Sequence, residues 1–280
     1  VRRGPIVRGR PMLSYGLGVR LQRAWLKLPS VRRRLFSEEI TVLRRWGDRI
    51  GARPDADHIL KHLLANSWAP WRDRAMTSPT ASDWVEVRGE WPLPSGEDRP
   101  GLILLILHSP LTSIALSALA SMSPEERPHL SIRDRANGAM VHAADLAFQV
   151  YRAHELLREG GVVIIAGDGI RGPRGITTPF FGGRFRFRQG GAELAVRTGA
   201  TLIPVFNTIN SRGRIEIEVC PPLEGGSGDP QARIDRMVQA YADLMIARWP
   251  EVYSSMSSGY LAGILKVMHK QRQNQGNYRP

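Results

Sequence analysis

His108 is the residue best placed to do chemistry in this chain. It directly follows the six apolar residues LILLIL, positions 102–107, and precedes Ser109 and Pro110. A short, wholly apolar run reads as a strand buried on both faces, and Ser-Pro reads as the cap and first residue of the next helix. An imidazole at that junction would be aimed by a rigid strand into a cleft beside the positive end of a helix. That field favours the neutral ring, which accepts a proton as a general base. The plainer alternative is a histidine that only closes the strand and bonds backbone. No carboxylate stands close to it in sequence.

Asp168 ends a second apolar run, GVVIIAG, and the loop beyond it carries Arg171, Arg174 and Arg184 around PFFGG. Three arginines on a Gly/Pro loop form an anion clamp suited to phosphate, although an aspartate among arginines also occurs as a simple salt bridge. Two other patterns mislead. His58 and His62 have the spacing of a zinc pair on one helical face, but Ile59 stands where the metalloprotease glutamate would be, and a solvated helix face is the simpler reading. GDGIRG, positions 167–172, matches a dinucleotide fingerprint, yet Pro173, Gly175 and Pro179 follow where a helix is required, and Asp168 would repel a pyrophosphate.

The elements that must position these residues follow from periodicity. GLILLIL, GVVIIAG, TLIPVF and RIEIEV read as strands, and HAADLAFQVYRAHELLREG, GGAELAVRTG and RIDRMVQAYADLMIARW as helices. Gly160 and Gly199 are stop signals, while Asp229 and Pro230 are a cap and first-turn proline. Strands alternating with helices predict an α/β fold, with a mixed, largely parallel sheet covered by helices on both faces. An N-terminal basic, helical region (1–88) precedes it, with a helix capped by Asp57 and carrying Ile59, Leu63 and Trp68. The body spans 89–250, entered through the Gly/Pro-rich segment GEWPLPSGEDRPG, and residues 251–280 form a tail, all within one continuous domain. The tail YLAGILKVMHKQRQNQGNYRP reads either as a second surface helix with a polar end or as an oligomer contact.

Composition bounds the partners. Thirty-nine Lys and Arg against 26 Asp and Glu give a net charge of +13, which attracts anionic lipid, nucleic acid or an acidic protein. Leu13, Leu17, Leu21 and Trp25 recur at helical spacing beside Arg20, Arg23 and Lys27, and Arg32, Arg33 and Arg34 follow. That is a basic amphipathic helix able to lie in a membrane interface, or equally a helix packed on its own domain with a solvated basic face. No apolar run approaches spanning length, so a surface-bound protein is expected. A single cysteine, Cys220, points to a reducing compartment, and VRRGPIVRGR lacks the apolar core of an export signal. No helix-turn-helix, zinc or aromatic sheet motif supports nucleic-acid binding.

From about Met12 to Leu261 the chain resembles the late lipid A (lauroyl/myristoyl) acyltransferase branch of the lysophospholipid acyltransferase superfamily. The blocks that carry the resemblance are LANSWAPWR, the strand ending in His108, IRDRAN, GDGIRGPRGITTPFFGG, GAELAVRTGATLIPVF, EVCPPLE and ARWPEVYSSM, in that order. The resemblance implies that His108 is the general base for transfer of an acyl chain from acyl carrier protein or acyl-CoA to a glycolipid or phospholipid hydroxyl. It implies no cofactor, no covalent enzyme intermediate, and a peripheral position on the cytoplasmic face of the inner membrane. Arg133 and Asn137 fall in a family block, and Arg133 and Arg174 resemble arginines that bind substrate phosphate or steady the oxyanion. The family motif places an acid five residues after the histidine, where this chain has Ser113. A hydroxyl orients the ring but brings no charge to stabilise an imidazolium. Asp168 is the first candidate for a replacement in space, ahead of Glu125, Glu126 and Asp134. The alternative is a catalytically impaired relative that keeps the lipid- or carrier-binding cleft.

Overall fold

The structure is a computed structural model that describes residues 15–67, 83–89, 100–122, 129–132, 135–136, 139–140, 143–169 and 174–276. Its centre is a six-stranded sheet built from β1 (Val85–Arg88), β2 (Leu102–Ile106), β3 (His129–Ser131), β6 (Val162–Ala166), β9 (Thr201–Ile209) and β10 (Ile215–Val219). The order is β1-β10-β9-β2-β6-β3, and only the β10–β9 pairing is antiparallel. The expected mixed, largely parallel sheet is therefore present, with all four strands read from apolar runs inside it. Two short hairpins lie outside, β4 (Arg135–Ala136) with β5 (Ala139–Met140), and β7 (Gly175–Phe180) with β8 (Gly183–Arg188).

Alternation along the central strands fills a core on each face. Leu102, Leu104, Ile203 and Val205 pack with α1 (Tyr15–Leu26), α4 (Ala56–Asn66) and α5 (Thr112–Met122), through Val19, Leu26, Leu63 and Ile114. Ile103, Leu105, Val163 and Leu202 point the other way, onto α6 (Ala143–Arg158), α7 (Gly190–Thr198) and α8 (Pro230–Val252), through Leu157, Ala192 and Tyr241. Burial on both faces is why these strands read as unbroken apolar runs. Each fully buried Leu or Ile contributes roughly 1.5–3 kcal/mol, whereas exposed ion pairs contribute about 0–1 kcal/mol, so the two cores hold the fold.

Between α1 and α4 lie α2 (Pro29–Leu35) and α3 (Ser37–Ile50), and after α8 comes α9 (Ser258–Gly276). The residues 251–280 contribute Val252, Tyr260, Leu261, Ile264 and Met268 to the same core as Trp46 of α3. Trp46 donates from Nε1 to the Leu261 carbonyl at 3.1 Å.

Four local expectations are corrected. The helix after β2 begins at Thr112 rather than at Pro110; Ser109 still holds the turn that leads into it, its hydroxyl accepting from Leu111 N–H at 3.2 Å while it donates to Ser255 O at 2.7 Å. Asp55, not Asp57, caps α4, accepting from His58 N–H at 2.8 Å, while Asp57 pairs with Lys61. Trp68 lies outside the described residues. Residues 175–188, read as loop, form the β7–β8 hairpin: Phe185 and Phe187 face in, while Arg184 and Arg186 face out. Its two-residue tip places Phe181 at φ 42° and Gly182 at φ 70°, the pair of positive φ values that a type I′ turn requires. In α1 the buried face is Tyr15, Val19, Gln22 and Leu26, and Leu17 and Leu21 remain exposed. Leu13 lies outside the described residues.

Candidate active site

Register brings His108 and Asp168 together. In the parallel β2–β6 pair Ile106 stands opposite Ala166, so the residues two positions beyond each strand are level with one another. Gly167 N–H extends the ladder to Ile106 O at 3.0 Å, and Asp168 then turns its carboxylate onto the histidine. Oδ2 accepts from His108 backbone N–H at 2.9 Å, and Oδ1 lies 2.6 Å from Nδ1. The carboxylate is completely buried, whereas the imidazole is 42% exposed. Burying an aspartate is costly unless its charge is matched, and here both oxygens are engaged by one residue.

Two buried tyrosines flank this pair. Tyr260 stacks on the His108 ring with centroids 4.7 Å apart and planes 4° from parallel, and its hydroxyl donates to the Asp168 carbonyl. Tyr241 lies against Gly167, where a Cβ would stand 2.6 Å from its hydroxyl oxygen, so a larger residue would push on the aspartate's own strand end. Burial, and then the Asp168 charge, pushes both phenols well above their ordinary value, which keeps them protonated.

Behind the histidine the segment Tyr253–Ser258 forms a strap. Ser257 N–H donates to His108 O at 3.1 Å, and Ser255 Oγ accepts from Ile209 N–H at 3.1 Å. His62 of α4 bolts the strap from the other side, with Nδ1 3.0 Å from Ser254 O and Nε2 3.0 Å from Ser258 Oγ. Asn66 adds a donation from Nδ2 to Met256 O at 2.9 Å. His62 is thus fully buried rather than on a solvated face, and burial lowers its pKa from 6.5 to about 4. His58, one turn earlier, instead pairs with Asp55 at 2.9 Å.

The other residues singled out from sequence are distributed unevenly. Ser113 is exposed in the first turn of α5, and among the described residues no hydrogen bond joins it to His108. Arg174 is 3.6 Å from Glu193 of α7 and mostly exposed. Arg184 is exposed on β8, its Nη2 3.5 Å from Thr177 O. Arg133, Asn137 and Arg171 lie outside the described residues, as do Glu125, Glu126 and Asp134.

A family model described as bacterial lipid A biosynthesis acyltransferase matches residues 100–258, more than half of the chain. The chain belongs to this family. No curated protein matches it in sequence. Membership makes acyl transfer the general activity to which the site must answer. Within this acyltransferase the matched stretch runs from the entry to β2 through the strap, so it contains both His108 and Asp168 and stops just short of Tyr260. Arg186 was missed from sequence although GRFRFR alternates with the strand period that would have revealed an outward arginine row. Tyr260 carried no sequence signal, for it reaches Asp168 from 92 residues away.

Proposed function

We propose that this acyltransferase moves a fatty acyl chain from a carrier thioester to the hydroxyl of a glycolipid or phospholipid, with His108 as general base and Asp168 as its charge partner. The observation that carries the reading is the 2.6 Å contact between His108 Nδ1 and the buried Asp168 carboxylate. A neutral imidazole that donates from Nδ1 has its lone pair on Nε2. Nε2 takes the proton of the acceptor hydroxyl as that oxygen attacks the thioester carbonyl. The tetrahedral intermediate collapses with cleavage of the C–S bond, and the imidazolium returns the proton to the departing sulfur. Asp168 stabilises the imidazolium between these steps and supplies the charge that Ser113 lacks, which favours catalysis over a binding-only relative.

Arginines would serve the phosphate-bearing ends of the substrates. Arg133, Asn137, Arg171, Arg174 and Arg184 are proposed as substrate-binding residues. Arg184 and Arg186 project from one face of β8, where among the described residues their partners are neutral oxygens of Thr177, a row suited to the acidic surface of an acyl carrier protein.

The membrane side of the proposal rests on α1 and α2. Leu17, Leu21, Leu28 and Leu35 are 46–56% exposed there. Arg20, Lys27, Arg33 and Arg34 are exposed beside them. Apolar side chains ringed by cations suit an anionic bilayer surface, here the cytoplasmic face of the inner membrane. Among the described residues no helix is long and apolar enough to cross a membrane.

The test is transfer of radiolabelled acyl groups from acyl carrier protein, or from acyl-CoA, to a lipid extract, with His108→Ala beside the wild type. Transfer lost in the variant supports the base assignment. Equal transfer by both proteins overturns it.

A further inference from the structure

Tyr260 belongs to no part of the reaction described so far, yet nothing else in the described residues engages both members of the dyad. Its ring lies 4.7 Å from the His108 ring and 4° from parallel, while its hydroxyl donates to the Asp168 carbonyl. The tyrosine is itself firmly held. Its N–H donates to Ser257 Oγ at 3.2 Å, Ser257 N–H donates to the His108 carbonyl, and the next residue, Leu261, is fully buried and bound by Trp46. It also stands in α9, two residues past the matched stretch 100–258.

We infer that Tyr260 is a positioning residue of the dyad, one that fixes the plane of the His108 ring and stabilises its protonated form through the π face. The inference rests on the proposed role of His108 as base. The bond to Asp168 anchors Nδ1, and a tilt about that contact would swing Nε2 out of line. A flat surface against one face removes the tilt and keeps Nε2 directed along the plane set by the strand end. When the ring gains a proton it becomes a cation stacked on an electron-rich aromatic face, and that attraction is absent for the neutral ring. The stabilisation is therefore differential: it acts on the proton-transfer state more than on the resting enzyme. The Tyr260 hydroxyl bonds the Asp168 carbonyl and so helps to seat the aromatic ring, but the proposed effect on His108 lies in the ring face.

Two measurements on the full-length protein test this. The titration of His108 is followed by NMR of histidine-labelled protein, with the signal assigned from His108→Gln. Wild type is compared with Tyr260→Phe, Tyr260→Met, and a series with mono-, di- and trifluorophenylalanine at position 260, which keeps shape and packing while draining the π face. The His108 pKa is expected to stay near wild type in Tyr260→Phe. It should fall by roughly 0.5 to 1 pH unit in Tyr260→Met and stepwise with each added fluorine. In acyl transfer, kcat should drop roughly 3- to 30-fold in Tyr260→Met with KM unchanged, and Tyr260→Phe should restore most of it. A flat pKa across the fluorinated series, or a Tyr260→Phe defect equal to that of Tyr260→Met, overturns the inference. If His108→Ala still transfers acyl groups, the base assignment fails instead, and the titration continues to report on the stack by itself.

Discussion

Acid should loosen the strap behind His108. His62 is fully buried with both ring nitrogens engaged, by Ser254 O and Ser258 Oγ, and burial holds its pKa at about 4 against 6.5 in the unfolded chain. Between those values the unfolded chain binds the proton and the folded one does not. Stability from this residue is therefore complete above pH 6.5, declines as pH falls, and is fully lost below about 4. At about 1.36 kcal/mol per pH unit the loss is roughly 3 kcal/mol, a large part of a domain stability of about 5–15 kcal/mol. The assay is urea unfolding followed by tryptophan fluorescence at several pH values from 7 to 4, with His62→Gln as the comparison. Glutamine cannot take up a proton in this range, so the difference between the two curves isolates His62 from every carboxylate they share. The wild type should lose about 3 kcal/mol more than the variant over that interval. Parallel curves would refute the reasoning, since they would mean that the proton enters the folded protein as readily as the unfolded one.

Two further outcomes follow from the placement of side chains. Ser113→Ala and Ser113→Asp should each leave kcat within about two-fold of wild type, because the imidazole already has its carboxylate and Ser113 is exposed; a hundred-fold gain in Ser113→Asp would show that the charge was missing after all. Replacing Leu17 and Leu21 by serine should weaken co-sedimentation with phosphatidylglycerol vesicles by about ten-fold per leucine; unchanged binding would move the membrane contact elsewhere.

The strands were legible because two-sided burial leaves a plain mark: LILLI and VVIIA admit nothing polar, and His108 and Asp168 each stand two residues beyond the end of one of them. His108 and Asp168 could be nominated from that mark, but their pairing depends on β2 and β6 being neighbours in register, which no local pattern encodes. The Asp229 cap and the Gly199 stop were legible for the same local reason. His62 was not, since α4 carries polar residues on several sides and only tertiary packing decides which of them is covered. The same holds for Tyr260, whose helix is placed by contact with Trp46, far from it in sequence. The β7–β8 hairpin was hidden differently: its glycines and prolines carry loop chemistry, and they outweighed the alternation in GRFRFR.

The most direct test of the account is the rate of acyl transfer by Asp168→Asn, measured with acyl carrier protein and acyl-CoA as donors beside the wild type. Asparagine keeps the size and much of the hydrogen bonding of the buried side chain but removes the charge that stabilises the imidazolium. A fall in kcat of about four orders of magnitude is expected, the scale seen when the corresponding charge is removed from a Ser-His-Asp triad. A folded Asp168→Asn protein that transfers within ten-fold of the wild-type rate would contradict it.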